Sequence, residues 1–168
     1  RDASALLRRA DTAMYRAKKK HSDFEFFEES MEASAGENLR LVGALRHALE
    51  RNEFAVYFQP ITQAAGKGVV GMEALVRWNH PTRGLVSPVE FIPLAEETGL
   101  IIPMGEWVLR AACEQLVAWH KAGHRGLYVT VNLSGLQLQL PNIADTVRGI
   151  LAETGLNPAC RTLEITES

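Results

Sequence analysis

The sequence lacks an excess of charge of either sign: 18 Lys and Arg stand against 20 Asp and Glu, a formal net charge of -2 over 168 residues. A chain so nearly neutral projects no long-range field toward nucleic-acid polymers or an anionic membrane surface, so any phosphate it binds must be held by a local site. Cysteine is scarce too. Cys113 and Cys160 show neither metal-ligand spacing nor a disulfide framework, which fits a reducing compartment and two buried, inert thiols. No uninterrupted apolar run approaches membrane-spanning length, and Arg1-Asp2-Ala3-Ser4 leads into amphipathic sequence rather than a signal peptide. The expected location is the cytoplasm, with room for an inner-membrane anchor upstream. Internal repeats and low-complexity tracts are missing as well. What remains, 46% hydrophobic and 23% charged, is ordinary globular composition.

Residues 5–20 predict a helix with Leu6, Leu7, Ala10, Met14 and Ala17 as its apolar stripe and Arg16, Lys18, Lys19 and Lys20 at its basic end, where cations suit the helix dipole. Phe24-Glu25-Phe26-Phe27 predicts a short strand, and the weakly hydrophobic stretch from Glu28 to Asn38 a linker. A second helix is expected from the capping-box spacing of Ser34 and Glu37, with Leu39, Val42, Leu45 and Leu49 on its apolar side. Phe54 to Ile61 and Val69 to Trp78 read as strands close enough to pair as a hairpin. Ser87-Pro88-Val89-Glu90 combines an N-cap Ser, Pro at the first helical position and Glu at the third. The helix it starts runs to Gly99, and another from Met104 to Lys121 carries Trp107, Ala111, Leu116 and Trp119 as buried candidates. Leu127 to Leu133 alternates as a strand does, Pro141 to Thr154 is amphipathic with Gly155 as its stop, and Thr162 to Thr166 is a final strand. Strand, helix, strand, helix, strand is the rhythm of an α/β fold with parallel strands joined by right-handed crossovers.

Three of these strands each carry one oxygen-bearing side chain in apolar surroundings: Glu73, Asn132 and Glu164. Buried carboxylates are costly unless paired, hydrogen-bonded or bound to metal. Brought together, two carboxylates and an amide form a hard, oxygen-only set suited to Mg²⁺, Mn²⁺ or Ca²⁺, and with no His or Cys partner zinc is disfavoured. The same residues also read as an Asn capping the next segment and two solvent-facing glutamates, and spacing leaves both readings open. Arg77 follows Glu73 by four residues, about 13 Å along a straight strand. That is too far for an ion pair, but it suits either an extended anionic substrate or a plain surface acid partner.

Five segments in order, Tyr57-Phe58-Gln59-Pro60-Ile61, Glu73-Ala74-Leu75-Val76-Arg77-Trp78, Phe91-Ile92-Pro93-Leu94-Ala95-Glu96, Val131-Asn132-Leu133-Ser134 and Glu164-Ile165-Thr166-Glu167, resemble the EAL family of cyclic-di-GMP phosphodiesterases. The resemblance covers residues 38–168. Residues 1–28, with Ala10-Asp11-Thr12-Ala13-Met14-Tyr15-Arg16-Ala17-Lys18, resemble the last helix and strand of a GGDEF diguanylate cyclase domain, although His21-Ser22-Asp23 stands where that family has a Gly-Arg-Asn-like turn. Residues 29–37 fall between as a linker. The resemblance implies a modified TIM barrel that hydrolyses cyclic-di-GMP to linear pGpG with two Mg²⁺ or Mn²⁺ ions. It implies metal ligands at Glu73, Asn132 and Glu164, substrate contacts at Gln59 and Arg77, an acid at Glu167 that anchors a neighbouring loop, and a homodimer formed through this domain.

The family pattern continues with an Asp-Asp-Phe-Gly-Thr-Gly loop, a catalytic Lys and a further Glu, none of which lies within these 168 residues. A TIM barrel takes about 250 residues, and residues 38–168 make roughly half of one. The expectation is therefore an incomplete barrel, inactive alone, from a bacterial signalling phosphodiesterase. The alternatives are a non-catalytic cyclic-di-GMP receptor, or an interaction module using open sheet edges.

Overall fold

The computed structural model of the chain describes residues 2–19, 22–63 and 68–166. Contacts divide it into two units, Arg1–Ala44 and Leu45–Ser168.

In the first unit, helix α1 (Ala3–Lys19) begins where the Asp2 carboxylate accepts hydrogen bonds from the Ser4 amide at 3.0 Å and the Ser4 hydroxyl at 2.7 Å. These bonds hold the Asp2 carboxyl below the usual carboxylate range. Ala13 and Ala17 are buried, whereas Leu6, Leu7 and Met14 of the expected stripe are exposed. Lys20 and His21 lie outside the described residues. The Phe24–Phe27 segment alternates between exposed and half-buried residues but joins no sheet. Without a partner among the described residues to take its backbone hydrogen bonds, alternation alone does not make a strand.

Helix α2 (Glu29–Ala48) starts five residues before the expected Ser34 cap, so the anticipated linker at 29–37 is helical. Its first residues are few in apolar side chains but good in helix propensity, and Glu29 there suits the positive end of the dipole. Leu45 is buried, while Leu39 is exposed.

The second unit is built on one sheet. Strands β1 (Phe54–Thr62) and β2 (Val69–His80) form the expected antiparallel hairpin, in register from Phe54 opposite Trp78 to Gln59 opposite Glu73. A short β3 (Gly84–Val86) pairs antiparallel with the end of β2. After helices α3 (Pro88–Glu97) and α4 (Ile101–Lys121), β4 (Tyr128–Ser134) returns parallel to β2. Then come α5 (Gly135–Leu138), α6 (Ile143–Thr154), a 3₁₀ turn at Pro158–Cys160 and β5 (Arg161–Thr166), parallel to β4. The order β1-β2-β4-β5 is an open sheet, an incomplete barrel of the expected α/β type.

Element ends follow local chemistry, in part as expected from sequence and in part not. Helix α4 begins at Ile101, ahead of Pro103, because a proline in the first turn gives up an N–H that has no intrahelical partner anyway. Ser87 does sit at the N-cap of α3, but its hydroxyl makes no capping bond, and the Glu90 carboxylate instead accepts from Arg83 Nη2 at 2.8 Å. Gly155 closes α6 in the left-handed conformation, φ 70°, donating to the Leu151 carbonyl at 2.9 Å.

Because side chains alternate along a strand, one face of the sheet carries Val56, Phe58, Ala74, Val76, Val129, Val131 and Leu163. This is the face that α4 and α6 cover, through Leu109, Ala112, Cys113, Leu116, Val147, Ile150 and Leu151. Leu116 is fully buried, while Trp107, Ala111 and Trp119 are only half-buried. Phe58 meets Trp119 edge to face at 4.9 Å. Both cysteines are free; Cys113 is buried and Cys160 half-buried against the same core. Among the described residues no helix is long and apolar enough to cross a membrane.

Candidate functional site

The opposite face of the sheet collects the chemistry. Glu73 on β2 is in register with Thr130 on β4, and Asn132 lies two residues further along the same side. Asn132 in turn is in register with Glu164 on β5. Across the hairpin, Gln59 is directly opposite Glu73. Arg77, four residues beyond Glu73, and Tyr57, two before Gln59, share this side by the same alternation. Thus the five residues Gln59, Glu73, Arg77, Asn132 and Glu164, expected from sequence, lie on one face of four neighbouring strands. Glu167 lies outside the described residues.

Asn132 Nδ2 donates to Glu73 Oε1 at 3.0 Å, joining β2 to β4 through side chains. Both groups are half-buried, and Glu164 is exposed. With the amide nitrogen committed to the carboxylate, Asn132 Oδ1 retains its acceptor capacity. Among the described residues no three His, Cys, Asp or Glu side chains are grouped to hold a metal. The available set is therefore two carboxylates and one amide oxygen. That chemistry fits a hard divalent cation such as Mg²⁺ or Mn²⁺ and does not fit zinc.

Arg77 is oriented rather than free-swinging. Its Nη1 donates to the Val76 carbonyl at 2.8 Å, and its guanidinium carbon lies 5.5 Å from the centre of the Tyr57 ring. A cation over an aromatic face is attracted by the ring quadrupole, and the planar fork retains further N–H donors for an anion. The sequence reading missed Tyr57 as the support of Arg77. The signal was present, since residues 57 and 59 must share a face, but the antiparallel register that brings 57 diagonally across from 77 is a tertiary fact. Beside Arg77 and Asn132, a cavity of about 390 Å³ opens between β2, α3 and α4, lined also by Pro93, Glu96 and Gln137.

The end of β2 nearest Val69 is closed differently. Tyr128 is in register with Gly71, and a Cβ at position 71 would stand 2.7 Å from its ring, so glycine is what lets the ring lie across β2. Glu73 follows this closed end by two residues, while Asn132 and Glu164 lie in the C-terminal halves of β4 and β5, the end at which barrel enzymes place their chemistry.

The profile of one family, described as the EAL domain, matches residues 42–168. The chain is 46% identical over 164 residues, 97% of its length and 24% of the relative's, to a Pseudomonas aeruginosa protein named bifunctional diguanylate cyclase/cyclic di-GMP phosphodiesterase MucR. It is 39% identical over 163 residues, 96% of its length and 21% of the relative's, to the cyclic di-GMP phosphodiesterase NbdA of the same organism. Among solved structures, the PaMucR phosphodiesterase in its c-di-GMP complex superposes with a TM-score of 0.74 at 45% identity, covering 77% of this chain and 52% of that one. The chain thus spans a fifth to a quarter of the length of these curated relatives.

Proposed function

The chain belongs to the EAL domain family, and we propose that the protein containing it hydrolyses one phosphodiester bond of cyclic-di-GMP, adding water across it to give linear pGpG. The observation that carries this reading is the gathering of Glu73, Asn132 and Glu164 on one sheet face, with Asn132 bonded to Glu73. In this reading these three side chains hold Mg²⁺ or Mn²⁺. Two such ions, when bound, supply an activated water and charge stabilisation for an in-line displacement. Gln59 and Arg77 bind the nucleotide, Arg77 presenting its fork to a phosphate. Glu167 anchors an adjoining loop. Near-neutral net charge is no obstacle, since a small dianion needs only this local set.

The same proposal assigns residues 1–28 to the tail of a GGDEF cyclase domain, 29–37 to the connection and 38–168 to the EAL domain. Similarity to a relative named for both activities, over nearly the whole chain, supports that division. Residues 1–168 contain only part of the family's acidic and basic machinery, so turnover belongs to the whole protein and not to this stretch alone. A homodimer through the EAL domain is part of the reading.

Incubating the full-length protein with cyclic-di-GMP and Mn²⁺, and separating nucleotides by anion exchange, is expected to yield pGpG, while residues 1–168 alone yield none. Tight binding of nucleotide that stays intact would make the domain a receptor. Absence of both binding and cleavage would overturn the assignment. Light scattering on the full-length protein tests the dimer.

A further inference from the structure

Two residues after Asn132, at Ser134, the chain leaves the sheet through a buried turn that has more polar wiring than its length explains. Ser134 and Gln137 are 5% and 3% exposed, and with Thr130 they make up the buried polar residues among those described. The Gln137 amide donates to Ser134 Oγ at 3.3 Å, and the Ser134 amide donates back to Gln137 Oε1 at 3.1 Å. This reciprocal capping box opens α5, a helix of only four residues. So short a helix has little stability of its own to gain. What the box fixes is the exit of β4, two residues beyond Asn132.

A third contact ties this turn to α4. A Cβ at Gly105 would stand 2.1 Å from Gln137 Nε2 and 2.8 Å from its Cδ, so the glutamine amide occupies the space that any side chain at 105 would take. Gly105 is buried in the body of α4, where glycine costs roughly 1 kcal/mol in helix propensity relative to alanine. The close approach of the amide supplies a reason for it. Gln137 is thus held between the backbone of α4 and the end of β4, and it lines the same cavity as Asn132 and Arg77.

We propose that Gln137 is a positioning residue for Asn132: clamped by Gly105 and bonded to Ser134, it sets the end of β4 so that the Asn132 amide donates to Glu73 and directs its oxygen to the cation. The inference rests on the metal-dependent reading given above. A reciprocal pair of buried hydrogen bonds fixes geometry in a way an apolar turn does not. Partners one step removed from a metal commonly change affinity 10- to 100-fold when lost.

The test uses the full-length protein. Mn²⁺ binding is measured by calorimetry without nucleotide, thermal unfolding by circular dichroism, and kcat and KM at saturating Mn²⁺. Gln137→Ala is expected to weaken Mn²⁺ binding about tenfold while KM for the nucleotide at saturating Mn²⁺ stays unchanged. Gln137→Glu keeps the acceptor for the Ser134 amide and should retain most of the affinity. Gly105→Ala raises helix propensity, so weaker Mn²⁺ binding in that variant reports the displaced amide and not a lost helix; should Gln137→Ala fail to fold, this variant decides. Adding Gly105→Ala to Gln137→Ala should cost nothing further in Mn²⁺ affinity, because the methyl no longer meets an amide. A lowered melting temperature with Mn²⁺ affinity unchanged in both single variants would show a plain helix cap and overturn the proposal. A wild-type protein that takes up no Mn²⁺ and cleaves no nucleotide would overturn the functional reading, and this inference with it.

Discussion

The two faces of the β1-β2-β4-β5 sheet come from the same strands and differ in almost everything else. On the helix-covered face Ala74, Val129 and Val131 are at most 3% exposed. On the other, Tyr57 is 52% exposed, and Glu73, Arg77 and Asn132 keep partial access to solvent. Strict two-residue alternation lets one strand serve both faces: Ala74 and Val76 pack in the core with α4, while Glu73 and Arg77, flanking them, lie on the opposite side. A slip of one residue in register would exchange the two sets, so the apolar face also fixes where the polar residues meet. Stability therefore resides on one side and chemistry on the other, and substitutions should separate them.

The largest effect is expected on the covered face. Leu116 lies wholly buried under the sheet, and Leu116→Ala should cost about 2–5 kcal/mol of stability, read by urea unfolding of the full-length protein. Activity per folded molecule should change little. A shift below about 1 kcal/mol, outside the range for a filled core site, would break the division between the faces.

The converse substitution is Glu73→Gln. It keeps an oxygen to accept the Asn132 amide, so stability should stay within about 0.5 kcal/mol, but it removes a carboxylate charge from the proposed cation site. Because loss of a mere partner of a ligand costs 10- to 100-fold, cyclic-di-GMP turnover should fall by roughly 100-fold or more. Retained turnover at ordinary Mn²⁺ would remove Glu73 from the ligand set.

Alternation is also why so much of this was legible beforehand. The hairpin, the α4 and α6 helices and β4 follow from periodicity in a window of a few residues, and Asn132 stood out as a polar residue in an apolar strand. Spacing left open whether Glu73, Asn132 and Glu164 meet or face solvent; register across three strands puts them on one sheet face, with Glu164 exposed. Elements only about one period long left no readable pattern: β3 has three residues and α5 four. Ser134-Gly135-Leu136-Gln137 did carry capping-box spacing, like Ser87 to Glu90. Which box closes depended on partners outside the four-residue spacing, Arg83 drawing Glu90 away while α4 packs against Gln137. The Phe24–Phe27 alternation misled because a strand is a property of two segments, not one.

Within the polar face, Arg77→Lys sharpens the comparison further. Lysine keeps the charge but loses the planar fork and the stacking surface. Losing a charged hydrogen bond of the kind worth about 1.5–3 kcal/mol should raise KM on the order of 10-fold or more, with kcat less affected. An unchanged KM would take the guanidinium out of nucleotide binding.

The smallest expected effect tests whether the polar face is itself organised. Tyr57 is more than half exposed, so its contribution to folding is minor, yet its ring lies 5.5 Å from the Arg77 guanidinium carbon. If that contact holds the fork in place before nucleotide arrives, its loss is an orientation cost, worth about 0.5–1 kcal/mol at an exposed site. That corresponds to a rise of about 2- to 5-fold in KM. Tyr57→Phe preserves the ring face and should be neutral, whereas Tyr57→Leu should show the full rise with kcat and unfolding midpoint unchanged. The effect should also vanish in an Arg77→Ala background, because a residue that acts only through Arg77 has nothing left to orient. Equal KM values for Phe and Leu would mean that Arg77 is held by the Val76 carbonyl alone. An effect that persists without Arg77 would instead place the Tyr57 ring in direct contact with the nucleotide.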